Sequence, residues 1–425
     1  MRYQLDLLEP SHDGTVENDK TSHAPIVSSD VPSRQLKQKT PKVSQFGLLA
    51  DPRFHLNVSH PSSTFICGSQ GSGKSHTLSC ILENCLIPSR AGRIPSPLTG
   101  FGFHYDTFIG DTVESPCEAA FLSSHPDVQV RVLCSPTNVN SIRGCYSRFN
   151  TPVDVLKLDR SHLNTKRIMD LMAVKQDSGE IPLYMHTVKR ILREMRIRQQ
   201  CTKGCFGYQT FKDRVMYSGL NRGQLGPLKQ RLETLESFMP EGQVDPWRRQ
   251  SASIGRVIAL DETHKYMNAS PEARAFTETL LSVVRPERNL AARVVISTQE
   301  PTVLMDLLNL CSVTIVHRFT SPEWLWPLQK HLAAAAANPF TPKTKSGNAS
   351  NDTGDLSTDQ NLSSLFDNVV QLGVAEALLF APSAIVQARV GQDGRVEIHP
   401  LGSEFLPIKV RARLMSEGGK NVLSL

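Results

Sequence analysis

The stretch Thr64–Asn84, TFICGSQGSGKSHTLSCILEN, decides how the rest of the chain is read. It opens on Thr64-Phe65-Ile66-Cys67, a short apolar run of the kind a buried strand needs. Gly68-Ser69-Gln70-Gly71-Ser72-Gly73-Lys74-Ser75 then fills every fixed position of G-x-x-x-x-G-K-[ST]. After His76, the residues Leu78, Ile81, Leu82 and Cys85 fall at helical spacing, so strand, glycine loop and helix stand in the order the pattern requires. The glycines let successive N–H groups turn inward, and with the helix N-terminus these make an anion site. Gly68 to His76 are therefore expected to hold the phosphates of ATP. Lys74 would reach the β- and γ-phosphates, and the Ser75 hydroxyl would bind Mg2+.

At 425 residues the chain has room for two or three domains, or for one large α/β domain with insertions. Its net charge of +6 is mild for that length, so charge alone does not imply nucleic acid. No window approaches 18 uninterrupted apolar residues, and the N-terminus lacks the plan of a secretory signal, so no membrane partner is expected. Nine scattered cysteines, an odd number, favour free thiols in a reducing, intracellular compartment, nucleus or cytoplasm. Cys201 and Cys205 stand four apart but have no second Cys/His pair at zinc-finger spacing.

Residues 1–44 are polar and aperiodic and read as a disordered leader with a loose basic cluster at Arg34, Lys37, Lys39 and Lys42. An ATPase core is expected over 45–332. Phe46 to Leu49, Phe54 to Val58, Phe101 to Asp106, Gln129 to Cys134 and Val153 to Leu158 are its early strand candidates. A largely helical insertion over about 162–250 interrupts it. There eleven bases between His186 and Arg231 face only Glu194 and Asp213, and Lys189, Arg193 and Arg196 share one helical face. A phosphate-backbone contact surface and a solvated helix face are both open for that charge. Residues 333–361 are low-complexity and read as a disordered insertion, and 362–425 bring strands that complete the core.

Arg256-Val257-Ile258-Ala259-Leu260-Asp261-Glu262 is a buried-strand pattern ending in two acids. Downstream of a phosphate loop, Asp261 is the expected Mg2+ ligand and Glu262 the residue that orients and activates the attacking water. Arg293 to Thr298 is a further strand that ends on Gln299, expected beside Asp261 and within reach of the γ-phosphate. No N-K-x-D stretch exists for guanine. An ABC-type ATPase is the rival, since Leu220-Asn221-Arg222-Gly223-Gln224 imitates its signature. That stretch, however, lies too far from Asp261, and Gln299 stands where a histidine is expected. A RecA-like motor fits better, and a nucleotide-gated switch acting on a protein partner stays open beside it.

From Asp261 to Phe319 the run resembles the second half of the HerA/FtsK-type P-loop ATPases, and most closely fungal members of that group. The residues that carry the resemblance are Asp261-Glu262, Tyr266, Arg285 and Arg288, Thr298-Gln299, Pro301, Leu308 to Cys311, and Arg318. The later LGVAEALLFAPSA is similar to a family strand, with Gly373 and Ala375 shifting its small residues; 100–250 has no motif match. The resemblance implies an α/β fold, a RecA-like P-loop NTPase core whose mostly parallel central sheet is flanked by helices. It also implies a homo-oligomer, often a hexamer, that hydrolyses ATP between subunits and translocates DNA. An arginine from the neighbouring subunit, Arg318 or Arg288, would complete the site. The family's N-terminal β-barrel and winged-helix modules have no counterpart in the sequence.

Overall fold

The computed structural model describes residues 21–35, 43–105, 116–160, 163–171, 183–202, 204–239, 255–267, 271–285, 291–301, 305–331, 365–390 and 396–415. β1 (Ile26–Ser28), α1 (Asp30–Gln35), β2 (Phe46–Asp51), β3 (Phe54–Asn57) and β4 (Ser63–Cys67) come first. The glycine loop leads from β4 into α2 (Lys74–Leu86), followed by β5 (Gly92–Arg93) and β6 (Thr99–Phe103). β7 (Val132–Cys134), α3 (Val139–Cys145) and β8 (Val153–Val155) come next. Four helices then follow: α4 (Thr165–Leu171), α5 (Leu183–Thr202), α6 (Tyr208–Met216) and α7 (Arg222–Ser237). Strand and helix alternate again through β9 (Arg256–Leu260), α8 (Pro271–Val284), β10 (Ala292–Thr298), α9 (Met305–Leu308), β11 (Val313–His317) and α10 (Pro322–His331). β12 (Glu376–Phe380), β13 (Ile385–Val390), β14 (Val396–Pro400) and β15 (Leu406–Val410) complete the elements.

Within a 13-stranded sheet, β11, β4, β10, β9 and β6 lie side by side in that order and run parallel. β4, β10 and β11 are buried along their whole length, as parallel strands covered on both faces must be. Alternate residues feed two cores. Ile66, Val295 and Ile315 meet Leu78, Ile81 and Leu82 of α2 on one face. Phe65, Ile296 and Val316 meet Leu280, Leu307 and Leu325 on the other.

Beyond β11 the sheet turns antiparallel through β12, β15, β2, β3 and β1, and β13 then pairs parallel with β1 and antiparallel with β14. The sheet is therefore mixed, which corrects the expectation of a mostly parallel one. Parallel neighbours need long crossovers, whereas β2 and β3 are joined by a two-residue turn that only an antiparallel pair allows. Two further corrections concern its membership. β1 falls in the stretch read as a disordered leader, yet Ile26 and Val27 are fully buried in the sheet. Residues 1–20 and 36–42 lie outside the described residues. β7 and β8, expected as core strands, pair only with each other, parallel and joined by α3.

Helices α4 to α7 pack on a core of their own, with Ile168, Leu192, Phe211 and Leu228 at its centre. The signature-like Leu220–Gln224 stretch has a local structural role there: Asn221 caps α7, and Gln224 returns the bond to its main chain. The low-complexity stretch 333–361 and the Gln392–Arg395 turn lie outside the described residues. No helix among the described residues is long and apolar enough to cross a membrane.

The C-terminal segment after β15 is bound to α2. Glu83 is fully buried and accepts Arg411 Nη1 at 2.7 Å and the main-chain N–H groups of Leu414 and Met415 at 2.8 and 3.0 Å. Arg411 also donates to the carbonyls of Leu48 and Cys80 and to Asn84 Oδ1. Removing one partner of such a buried pair costs about 3–5 kcal/mol. Arg411→Met is thus expected to lower stability by about 3 kcal/mol in urea denaturation. The double variant with Glu83→Gln should recover part of that loss; a double variant no better than Arg411→Met would show that the ion pair is not what the substitution disturbs.

Candidate active site

Gly68 and Gly73 hold φ of 153° and 111° where the loop turns from β4 into α2. A Cβ on Gly68 would lie 2.7 Å from the Cβ of His317, and one on Gly73 would lie 2.9 Å from the main-chain nitrogen of Ala375. Both positions accept only glycine. The Ser69 N–H and hydroxyl donate to the Arg318 carbonyl at 2.8 and 2.9 Å. The Ser69 carbonyl in turn accepts the Ser72 hydroxyl at 2.7 Å and Lys74 Nζ at 2.9 Å. Gln70 and Gly71 form the exposed tip, while Ser75 is half-buried in the first helical turn. Burial pulls the Lys74 ammonium below its ordinary pKa, and Glu262, Cys67 and Asp261 oppose that pull.

Those two carboxylates arrive through strand register. Thr298 of β10 stands opposite Cys67 of β4, so these two strands end level, while Leu260 stands opposite Ile296, so β9 stops two residues earlier and Asp261 and Glu262 continue toward the same end of the sheet. Gln299 Nε2 donates to Glu262 Oε2 at 3.0 Å, and His264 Nε2 lies 3.4 Å from the same oxygen. Burial lowers the pKa of His264 and Glu262 raises it, with burial the larger influence. Glu262 is left-handed, at φ 50° and ψ 45°. The Thr263 hydroxyl ties this turn to β10 by donating to the Ser297 carbonyl at 3.1 Å. Asp261 is buried; His104 Nδ1 stands 3.5 Å from its Oδ2, and its Oδ1 has no hydrogen-bond partner among the described residues. An unpartnered carboxylate oxygen on the strand tip, beside a loop held open by glycines, suits a nucleotide-bound Mg2+.

The fold thus gathers Lys74, Asp261, Glu262 and Gln299 at neighbouring strand tips. Arg318 is tied by its carbonyl to the loop of its own chain. Arg288 lies outside the described residues. The ring of His76 is engaged elsewhere: Arg413 Nε donates to its Nδ1 at 3.2 Å, and its Nε2 donates to the Arg411 carbonyl at 2.7 Å. Arg413 also pairs with Glu118.

Sequence reasoning missed His317 and Ala375, which support the loop. The His317 ring is fully buried, with Nδ1 donating to the Glu376 carbonyl at 2.9 Å and Nε2 accepting from the Thr77 hydroxyl at 2.8 Å. Ala375, left-handed at φ 63°, covers Gly73. The available signal was the position of His317, which closes an apolar strand one residue before Arg318.

No family model and no curated protein matches the chain. Solved structures similar to it include VirB4 of Thermoanaerobacter pseudethanolicus, at 10% identity and a TM-score of 0.43 over 87% of this chain and 96% of that one. EssC (ATPases 2 and 3) from Geobacillus thermodenitrificans gives 12% and 0.32 over 88% of this chain and 45% of its own, so this chain spans less than half of it. The genome packaging NTPase B204 from Sulfolobus turreted icosahedral virus 2, in complex with AMPPCP, gives 9% and 0.30 over 80% of this chain and 97% of its own.

Burial holds the His317 pKa down to about 4, against the Glu376 bond that raises it. Between an unfolded value of 6.5 and about 4 the unfolded chain binds the proton more readily, so stability falls as pH drops through that window. His317→Gln, which keeps a donor and an acceptor, is expected to remove about 3 kcal/mol of that acid loss in urea titrations. Parallel pH profiles for variant and wild type would place the acid sensitivity elsewhere.

Proposed function

We propose that this chain is a Mg2+-dependent ATPase of the HerA/FtsK type that works as a homo-oligomer, a hexamer in the form the resemblance favours, and translocates DNA. The observation that carries the reading is the Gln299–Glu262 hydrogen bond at 3.0 Å, made at the end of the sheet where the glycine loop also leaves β4. The main-chain N–H groups of Gly71, Gly73, Lys74 and Ser75 cradle the phosphates, and Lys74 pairs with the β- and γ-phosphates. Ser75 and Asp261 hold Mg2+, which when bound neutralises charge on the phosphate oxygens. Glu262 accepts the proton of the attacking water, and Gln299 keeps its carboxylate in place and senses the γ-phosphate. Arg318 of a neighbouring protomer neutralises transition-state charge.

Exposed cations of α5 support the DNA part of the reading. Lys189, Arg193 and Arg196 lie along one exposed face, and none of the three has a carboxylate partner among the described residues. Other bases of the region face carboxylates: Arg190 and Arg214 share Glu194, Lys212 pairs with Glu236, and Lys229 with Glu233.

Lys74→Ala is expected to abolish nucleotide binding. Glu262→Gln should keep binding and slow hydrolysis about 100- to 10,000-fold; turnover at the wild-type rate removes Glu262 from its role. Mixing Lys74→Ala with Arg318→Ala protomers should restore part of the turnover, because each supplies what the other lacks across an interface. No recovery would confine Arg318 to its own site. Arg193→Glu with Arg196→Glu should weaken DNA-stimulated turnover and lower the salt slope by about one for each phosphate no longer neutralised. A chain that stays monomeric with ATP and ignores DNA would instead be a nucleotide-gated switch acting on a protein partner.

A further inference from the structure

His104 follows β6, Cys117 precedes the 3-10 turn Glu118–Ser124, and Asp261 follows β9. One ligand atom of each, an imidazole nitrogen, a thiol sulfur and a carboxylate oxygen, lies within 4.8 Å of the other two. The grouping is fixed by main-chain geometry. Phe103 stands opposite Leu260, and the Asp261 N–H donates to the Phe103 carbonyl at 2.9 Å, which sets His104 level with Asp261. The Cys117 N–H donates to the hydroxyl of the buried Tyr146 at 2.9 Å. His104 Nδ1 and Asp261 Oδ1 are both buried without a hydrogen-bond partner, and Asp261 is only 5% exposed. Two orphaned polar atoms beside a thiol are a donor set that lacks only its acceptor, which a cation supplies.

We propose that His104, Cys117 and Asp261 bind a thiophilic divalent cation, Zn2+, and that its binding withdraws Asp261 from the magnesium nucleotide and so inhibits turnover; the inhibitory half rests on the ATPase reading. The donor set selects the ion. Sulfur and imidazole suit zinc, whereas Mg2+ takes oxygen ligands in an octahedron. Tetrahedral zinc holds sulfur at about 2.3 Å and nitrogen or oxygen at about 2.0–2.1 Å, which spaces the ligand atoms roughly 3.3–3.6 Å apart. The 3.5 Å between His104 Nδ1 and Asp261 Oδ2 already fits that spacing. Three protein ligands leave the fourth position to water, and Cys117 releases its proton to solvent as the bond to its sulfur forms. Zinc drawn toward His104 and Cys117 takes one Asp261 oxygen and sets a second divalent charge against the other, so zinc and the magnesium nucleotide weaken each other's binding there.

The test uses the full-length chain with Co2+ as the spectroscopic substitute for zinc. Wild type is expected to show a thiolate-to-cobalt charge-transfer band that saturates at one equivalent and is abolished by excess Zn2+. Cys117→Ser should lose the band and His104→Ala should weaken cobalt binding, while Lys74→Ala and the pair Cys201→Ser with Cys205→Ser should retain it. Zn2+ should inhibit wild-type turnover, and Cys117→Ser should need at least about tenfold more, the cost of losing even an outer-shell partner of a metal site. A band that persists in Cys117→Ser overturns the site, and equal inhibition of wild type and Cys117→Ser overturns the inhibitory half. A chain with the band and no ATPase activity keeps the site and loses the ATPase reading. An active ATPase without a Cys117-dependent band does the reverse.

Discussion

Parallel pairing of β10 with both β4 and β9 is the constraint on which the rest depends, because a parallel ladder sets the C-terminal ends of its neighbours side by side. The glycine loop, Gln299 and the Asp261-Glu262 pair all leave the same end of this ladder although they are far apart in the chain. A slip of one residue would move a strand tip by about 3.3 Å and turn its side chains to the other face. The 3.0 Å bond from Gln299 to Glu262 would not survive it. Register is protected by burial: alternate residues of β4 and β10 serve two different cores, so each strand has one setting that satisfies both.

Positioning costs energy at three places. Glu262 and Ala375 are left-handed without being glycine, a state that costs roughly 1–2 kcal/mol per residue. His317 is held neutral inside the sheet. Each stands against the glycine loop or the Asp261-Glu262 turn. The turn at Glu262 brings its carboxylate to Gln299, Ala375 closes over Gly73, and His317 packs under Gly68 while accepting from Thr77 in the first turn of α2. The surrounding cores offset these local costs, and the loop has little freedom to collapse.

The segments that build the candidate site stand out in the sequence because they are short contiguous patterns. Gly68 to Ser75 is one such pattern, and Arg256 to Glu262 after a phosphate loop is another. The helical insertion was visible through periodicity, and its exposed cations through their spacing. What could not be read was pairing between distant segments. Nothing in HAPIVSSDV marks Ile26 and Val27 as sheet residues until β13 and β3 stand on either side of them. The short apolar runs at β7 and β8 carry the same signal as a core strand, and only tertiary placement separates them from it. The roles of His317, Arg411 and Cys117 likewise depend on partners more than two hundred residues away or on another strand.

Two segments of the chain bear differently on the site. The segment after β15 reaches the phosphate helix itself, since Arg411 engages Glu83 and both Arg411 and Arg413 hold His76, the residue that follows Ser75. A strain in the segment after β15 is therefore felt within one residue of the proposed magnesium ligand. The basic helices α4 to α7 differ, because their apolar faces are satisfied against one another. Their sequence can change without repacking the strands beneath the loop. The basic helical surface and the glycine-loop site can in this way vary independently, with the central ladder as their common support.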